Sequence, residues 1–240
     1  MKNIFENKNC LITGATGGIG KEIVKNLAQK GSNLFLTSKN EKKLQSLSEE
    51  LEAQYPGIKI QYDECDLSNP EQLPHLIKKI RNKFSSIDIL VNCAGIFLLK
   101  TLKESTVQDF KNCFRVNNLA PFILSKEFSN DMIEKKWGRI VNIGSSSSYN
   151  GFKNGTIYCA SKHSLLGFSR ALHDELKENN VRVSCISPAS TKTEMAKLST
   201  DQDYETFLDP KDVAEFVIFS ISFDKEMTIG ESRLNRMVPK

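Results

Sequence analysis

Short apolar runs alternate with amphipathic stretches along most of this 240-residue chain, and the first junction between the two is rich in glycine. Residues 10–13 form a compact apolar run that breaks into glycines, after which Ile19, Ile23, Val24 and Leu27 recur at helical spacing. That pattern reads as strand, tight turn, helix. Gly31 stops the helix, residues 33–37 read as a second buried strand, and a charged helix over about 41–54 ends at Pro56-Gly57. Residues 59–64 alternate as a strand, Ser68 is expected to cap a helix running to about Phe84, and residues 87–92 form another apolar strand. A long helical region over 105–136 carries Asn117 and Pro121 as signs of a kink. A strand over 139–143, a helix over 158–177 and a strand over 181–186, ended by Pro188, continue the alternation. The polar segment 190–209 is expected to be a mobile flap, Asp209-Pro210 starts a helix to about Ser222, and residues 226–229 read as a final strand.

Seven strands alternating with helices, most of them continuous apolar runs, imply a parallel sheet covered on both faces. The expected fold is therefore α/β and doubly wound, a single Rossmann-type domain over residues 1–240. Ligands of such sheets bind beyond the carboxyl ends of the strands, so residues that follow a strand are the candidates for function. A hydrophobic fraction of 39% supports a real core, and the 33 basic and 29 acidic side chains are dispersed, which argues against nucleic acid as a partner. No apolar run approaches the ~20 residues of a membrane helix, and residues 1–9 lack the apolar core of a secretion signal, so a cytoplasmic protein without membrane attachment is expected. Six cysteines without a C-x-x-C pair read as reduced thiols, and with only three histidines no metal site is expected.

The turn over residues 13–20 joins the first strand to its helix, where free backbone N–H groups and the helix dipole suit a pyrophosphate. Gly14, Thr16, Gly17, Gly18, Ile19 and Gly20 are its candidate contacts, and the alternative is a tight turn without a ligand. An acidic residue at the end of the second strand would suit the ribose hydroxyl of NAD, but Ser38-Lys39 stands there instead. A 2′-phosphate fits better, so NADP(H) is the expected cofactor with NAD(H) left open; otherwise Lys39 is a solvated lysine at a helix start. Tyr158 and Lys162 lie at i and i+4 on one helix face, where a neighbouring ammonium would lower the phenol's pKa from ~10 and make it a usable acid or base. Ser145, at the exit of a strand, could bond the same substrate oxygen. A surface pair and a serine-rich turn are the alternatives for these residues.

Taken together, residues 13–20, Asp66-Leu67, residues 92–95, Asn117, Ser145, Tyr158, Lys162 and residues 188–193 resemble the short-chain dehydrogenase/reductase family in order and spacing, over about 9–193. The resemblance is to its single-domain branch of roughly 250 residues, and broadly to 3-oxoacyl-carrier-protein reductases. It implies that Asp66 and Leu67 meet the adenine, that Asn92, Ala94 and Gly95 line the cofactor, and that Lys162 also holds the nicotinamide ribose. It further implies that Asn117 positions a proton-relay water, Ser145 orients the substrate oxygen, Tyr158 exchanges its proton, and Pro188 with Thr193 borders the nicotinamide.

Two departures stand out: Cys93 replaces a second asparagine, and Ala189 replaces the glycine that usually follows Pro188, restricting that backbone to negative φ. Gly17 also lets the turn match the family's longer, sugar-modifying branch, but only about fifty residues follow Pro188, too few for that branch's substrate domain. Residues 228–240 lack the glycine-rich ending of the carrier-protein reductases and resemble relatives acting on small hydroxy acids or other carbonyl metabolites. The expected activity is hydride transfer between the nicotinamide and an alcohol or carbonyl carbon of a small, or carrier-linked, substrate. The resemblance also implies a homodimer or homotetramer built through the helices near Asn117 and Tyr158. A non-catalytic NADP-sensing protein and a purely structural subunit are the alternatives from other classes.

Overall fold

The computed structural model describes residues 3–198 and 202–237. Their organising element is a seven-stranded sheet whose strands are β1 (Asn9–Thr13), β2 (Asn33–Ser38), β3 (Ile60–Glu64), β4 (Ile89–Asn92), β5 (Gly138–Ile143), β6 (Val181–Pro188) and β7 (Glu231–Leu234). All neighbours pair parallel in the order β3-β2-β1-β4-β5-β6-β7. The helices are α1 (Gly18–Gln29), α2 (Glu41–Gln54), α3 (Gln72–Lys83), α4 (Val107–Phe114), α5 (Ala120–Glu134), α6 (Thr156–Leu176) and α7 (Pro210–Ser220).

Central strands read as unbroken apolar runs because both faces are covered: all six residues of β5 are buried. On one face Ile23, Leu27, Leu44 and Val217 from α1, α2 and α7 pack on Ile12, Leu36 and Val141. On the other, Leu76, Ile80, Leu124 and Phe128 from α3 and α5 pack on Leu11, Phe35 and Ile140. The chain winds outward from β1 to β3, then returns to place β4 on the other side of β1. This reversal opens a crevice at the carboxyl ends of β1 and β4.

Three local expectations change in the structure. Ser68 does not cap α3: its N–H and hydroxyl both donate to Asp66 Oδ1, at 2.9 and 2.7 Å, and the helix begins only after Pro70. The region 105–136 is not one kinked helix but α4 and α5 joined by a π turn, Arg115–Leu119, with Asn117 inside it and Pro121 in the first turn of α5. The last strand is Glu231–Leu234 and not 226–229, because side chains claim the earlier carbonyls. Arg182 donates to the carbonyls of Phe223, Lys225 and Met227, and Ser184 donates to that of Ile229, so pairing with β6 begins at Glu231. The segment 190–209, expected to be a flap, contains two short 3₁₀ turns, Met195–Leu198 and Tyr204–Thr206, and a bridge from Thr191 to Leu208; its residues 199–201 lie outside the described residues.

Candidate active site

A cleft of ≈ 1020 Å³ runs along the carboxyl edge of the sheet from β2 to β7. The turn after β1 forms one wall, and its glycines are closely approached by other parts of the chain. Gly14 has φ +65°, and a Cβ there would lie 2.8 Å from the Ala94 backbone; a Cβ on Gly18 would lie 2.6 Å from Thr193 Cγ2. Thr13 Oγ1 fixes this wall to the exit of β4 by accepting from the N–H groups of Cys93 and Ala94, each at 3.1 Å. Gly14, Thr16, Gly17, Gly18, Ile19 and Gly20 all face the cleft, as do Ser38 and Lys39 at its outer end. Asn40 and Lys43 stand beside them, and Asn40 caps α2 by accepting from Lys43 N–H.

Gly144 follows β5 and donates to the Ile186 carbonyl at 2.7 Å, which brings Ser145 onto the cleft beside Pro188. Ser145 Oγ accepts from Ser147 N–H and donates to Ser147 Oγ, both at 3.1 Å. Tyr158 and Lys162, one turn apart on α6, line the same stretch and are both buried. Lys162 Nζ donates to the Ile143 carbonyl at 2.8 Å and lies 5.9 Å from the centre of the Tyr158 ring.

The electrostatics differ from the sequence expectation. Burial, opposed by a hydrogen bond with Ser145, pushes the Tyr158 phenol up to about 12, opposite to the direction expected from an ammonium one turn away. Burial also lowers the pKa of Lys162, for the same reason with the opposite sign.

Other candidates lie behind or beside the cleft. Asn92 is buried, and its Nδ2 donates to Asn142 Oδ1 at 2.8 Å, while Asn142 Nδ2 donates to Ser169 Oγ at 2.9 Å; this chain of amides ties β4 to β5 and α6 beneath the site. The Asn117 amide is engaged by protein on both ends. Its Oδ1 accepts from Ile96 N–H at 2.9 Å, and its Nδ2 donates to the Ile96 carbonyl at 3.1 Å and to Ser161 Oγ at 2.9 Å. The side chain therefore braces the loop after β4 against α6. Gly95 faces the cleft at this brace, and a Cβ on it would meet Asn117 Oδ1 and Lys162 Nζ at 3.5 and 3.7 Å. Asp66 and Leu67 follow β3 outside the cleft lining; bonds from Ser68 and the charge of Lys39 hold the Asp66 carboxyl below its ordinary range. Ala94 turns away from the lining and supports Gly14, whereas Thr193 lines it. Ala189 keeps negative φ, and its N–H donates to the Leu234 carbonyl at 2.8 Å, so alanine is accommodated there.

Several lining residues were not singled out individually from the sequence. Phe97 sets its ring edge against Tyr158 with centroids 4.9 Å apart and stacks with Phe152 at 6.2 Å. Leu99, Gln202 and Arg236 also face the cleft. Among the described residues no three His, Cys, Asp or Glu side chains converge as metal ligands, and no helix is long and apolar enough to cross a membrane.

A doubly wound sheet with a glycine turn at its switch point and a tyrosine–lysine pair in the same crevice defines the dinucleotide-dependent oxidoreductases as a class. The profile of the short chain dehydrogenases matches residues 8–203, and the chain belongs to that family. It is 34% identical to a 3-oxoacyl-[acyl-carrier-protein] reductase of Rickettsia typhi over 237 residues, covering 95% of each chain. Among solved structures it is similar to a metagenomic short-chain oxidoreductase in complex with NADP, with TM-score 0.84 and 26% identity, covering 98% of this chain and 99% of that one. It is also similar to the closed form of a serine dehydrogenase complexed with NADP+, with TM-score 0.84 and 27% identity over 94% of each chain.

Proposed function

We propose that this protein is an NADP-dependent oxidoreductase that interconverts a carbonyl group and its alcohol in the cleft between Gly14 and Tyr158. The observation that carries the reading is the meeting of Ser145, Tyr158 and Lys162 on one wall of a cleft whose other end is the glycine turn. The residues present suit a dinucleotide. The glycine turn lines the cleft at the amino end of α1, where phosphates can approach backbone N–H groups. Ser38, Lys39 and Lys43 face the outer end without a carboxylate at the end of β2, which suits a 2′-phosphate. The bound nicotinamide would supply or accept the hydride.

The chain's own residues do the rest. Ser145 donates a hydrogen bond to the substrate oxygen, and Tyr158 gives its phenolic proton to that oxygen as the carbonyl is reduced. Lys162, anchored on the Ile143 carbonyl, places its positive charge near the tyrosinate left behind. In the reverse direction Tyr158 takes the proton back. Asn117 holds the loop after β4 and the helix carrying Tyr158 in register, which makes it a positioning residue in this scheme. Substrates fall among carrier-linked 3-oxoacyl groups and small hydroxy acids or related carbonyl metabolites.

The same reading extends to assembly and location. Phe110, Leu119 and Phe122 are exposed along α4, the π turn and α5, and with Phe114 and Phe168 they form an apolar groove suited to pairing with a second copy. Six unbridged cysteines suit the reducing cytoplasm.

The test is turnover of a panel of carbonyl substrates with NADPH and NADH, followed by nicotinamide absorbance, in wild type and Tyr158→Phe. The variant is expected to bind NADPH, by nucleotide fluorescence, and to lose about 10²- to 10⁴-fold in turnover. Turnover near that of wild type in the variant would refute the assignment.

A further inference from the structure

The reaction described above uses Ser145, Tyr158 and Lys162 and gives no role to the guanidinium that faces the same cleft. Arg236 lies two residues beyond β7, whose Leu234 pairs with Pro188 at the end of β6. It thus enters from the β7 side, separated from the glycine turn after β1 by β4, β5 and β6. Lys39, after β2, occupies the opposite end of the cleft. Ser145, after β5, stands between them, so Arg236 is on the substrate side of the reacting groups and away from the turn that suits pyrophosphate.

Its placement is built. Nη1 donates to Thr206 Oγ1 and Nη2 to Gln202 Oε1, each at 3.0 Å, and the guanidinium lies 5.3 Å from the centre of the Phe207 ring. Gln202 Oε1 is itself held by Ser190 Oγ at 3.0 Å. A hydroxyl, an amide oxygen and an aromatic face orient the fork without cancelling its charge. Lys153 is a further basic side chain of the lining, and Glu194, the acidic side chain that faces the cleft, is bonded to Lys197 at 2.7 Å. Phe97, Leu99 and Phe152 add an apolar part to the lining, with Phe97 and Phe152 packed on each other and on Tyr158.

A half-buried guanidinium with fixed orientation matches the planar geometry of a carboxylate or phosphate. We propose that Arg236 binds an anionic oxygen group on the substrate, so that the preferred substrates are oxo acids, or oxoacyl thioesters bearing a phosphate, with the carbonyl at Ser145 and Tyr158 and the anion at Arg236. This rests on the reading that Tyr158 serves carbonyl reduction. The two sources of the anion share one recognition chemistry and are separated by the choice of substrate.

The experiment compares kcat/KM with NADPH for two matched pairs, acetoacetate against methyl acetoacetate and an acetoacetyl phosphopantetheine thioester against its dephosphorylated form. Wild type, Arg236→Gln, Arg236→Met and Arg236→Lys are assayed. Wild type is expected to favour the anionic member of at least one pair. The Gln and Met variants are expected to lower that anionic-over-neutral ratio about 10- to 100-fold, mainly through KM, and Lys to restore part of it. The Met variant keeps an apolar stem over Phe207 and guards against a variant that fails to fold. Dependence in the first pair identifies a carboxylate and in the second a phosphate. A ratio unchanged within about twofold overturns the proposal even if all rates fall, since a clamp that only holds Gln202 and Thr206 would slow both members alike. If wild type reduces ketones yet never prefers an anionic member, the proposal fails while the role of Tyr158 stands. If wild type reduces no carbonyl compound, the underlying reading fails and takes the proposal with it.

Discussion

Arg139→Leu tests whether one buried cation secures the last crossover of the sheet. Arg139 begins at the amino end of β5, opposite the cleft, and is completely buried. Its Nε donates to the Ile221 carbonyl at 3.3 Å, Nη1 to the Gly138 carbonyl at 2.8 Å, and Nη2 to the Phe223 carbonyl at 2.9 Å and Asp224 Oδ1 at 2.8 Å. In the leucine variant the Phe223 carbonyl keeps its bond from Arg182, and Asp224 keeps Trp137 Nε1 at 2.8 Å with 43% of its side chain exposed to water. The carbonyls of Ile221 and Gly138 lose this donor in a buried setting, at about 1–3 kcal/mol each. Removing the cation also relieves its desolvation, which, with the nearby charge of Arg182, pushes Arg139 down to about 10. The net destabilisation is therefore about 2–4 kcal/mol. Unfolding of a 240-residue chain carries about 0.5 kcal/mol per kelvin of entropy, so the thermal midpoint should fall about 4–8 °C. Calorimetry at neutral pH measures this, with carbonyl turnover at 25 °C as the control for the opposite end of β5. A midpoint within about 1 °C of wild type, or above it, would refute the reasoning.

Four further outcomes follow from the same geometry. Because burial holds Tyr158 at about 12, its phenol stays protonated below that value; an ultraviolet titration of the free protein, minus Tyr158→Phe, should show no phenolate signal from about pH 7 to 10. A signal near neutrality would show that the Lys162 charge outweighs desolvation. Ser38→Asp places a carboxylate at the end of β2 and should lower the NADPH-over-NADH preference by at least about tenfold in kcat/KM; an unchanged ratio would locate the 2′ group elsewhere. Gly20→Ala drives a Cβ against the Gly14 carbonyl, an overpacking of about 1–3 kcal/mol that should cost about 2–6 °C in midpoint and weaken NADPH binding, read by fluorescence titration. Phe122→Lys on the exposed apolar groove should shift the protein toward monomer in sedimentation velocity, and an unchanged profile would remove that face from the assembly.

The elements were legible wherever one segment carries its own signal. The apolar run of β5 and the helical spacing of α1 each declare a buried element without reference to the rest of the chain. The misplaced last strand has a tertiary cause: residues 223–229 give their carbonyls to Arg139, Arg182 and Ser184, and nothing local in them announces it. Ser68 misled for the opposite reason, since a serine ahead of a helix is a good cap, and Asp66 captures it two residues earlier. Asn117 and Pro121 marked the right place for a break, but the π turn closes through the Asn117 bonds to Ile96 and Ser161, which join segments distant in sequence. In the same way Ser145, Tyr158 and Lys162 could be read from one strand exit and one helix face, whereas Phe97, Phe152 and Arg236 become one site only when β4, α6 and β7 are assembled.

The direction of the Tyr158 shift shows what spacing alone leaves open. Placing an ammonium one turn from a phenol fixes their proximity but not the solvent around them, and the sign of the shift depends on both. Here α6 carries the pair under Phe97 and the loop after β4, so both groups lose water, and the lysine's short bond goes to a backbone carbonyl and not to the phenol. Desolvation then favours the neutral form of each partner, upward for the tyrosine and downward for the lysine. A neutral phenol in the resting cleft is already the acid that carbonyl reduction requires, whereas alcohol oxidation must first remove its proton. Burial thus reverses the sign of the shift expected from the sequence, and the phenol, as at its ordinary value, is protonated at neutral pH.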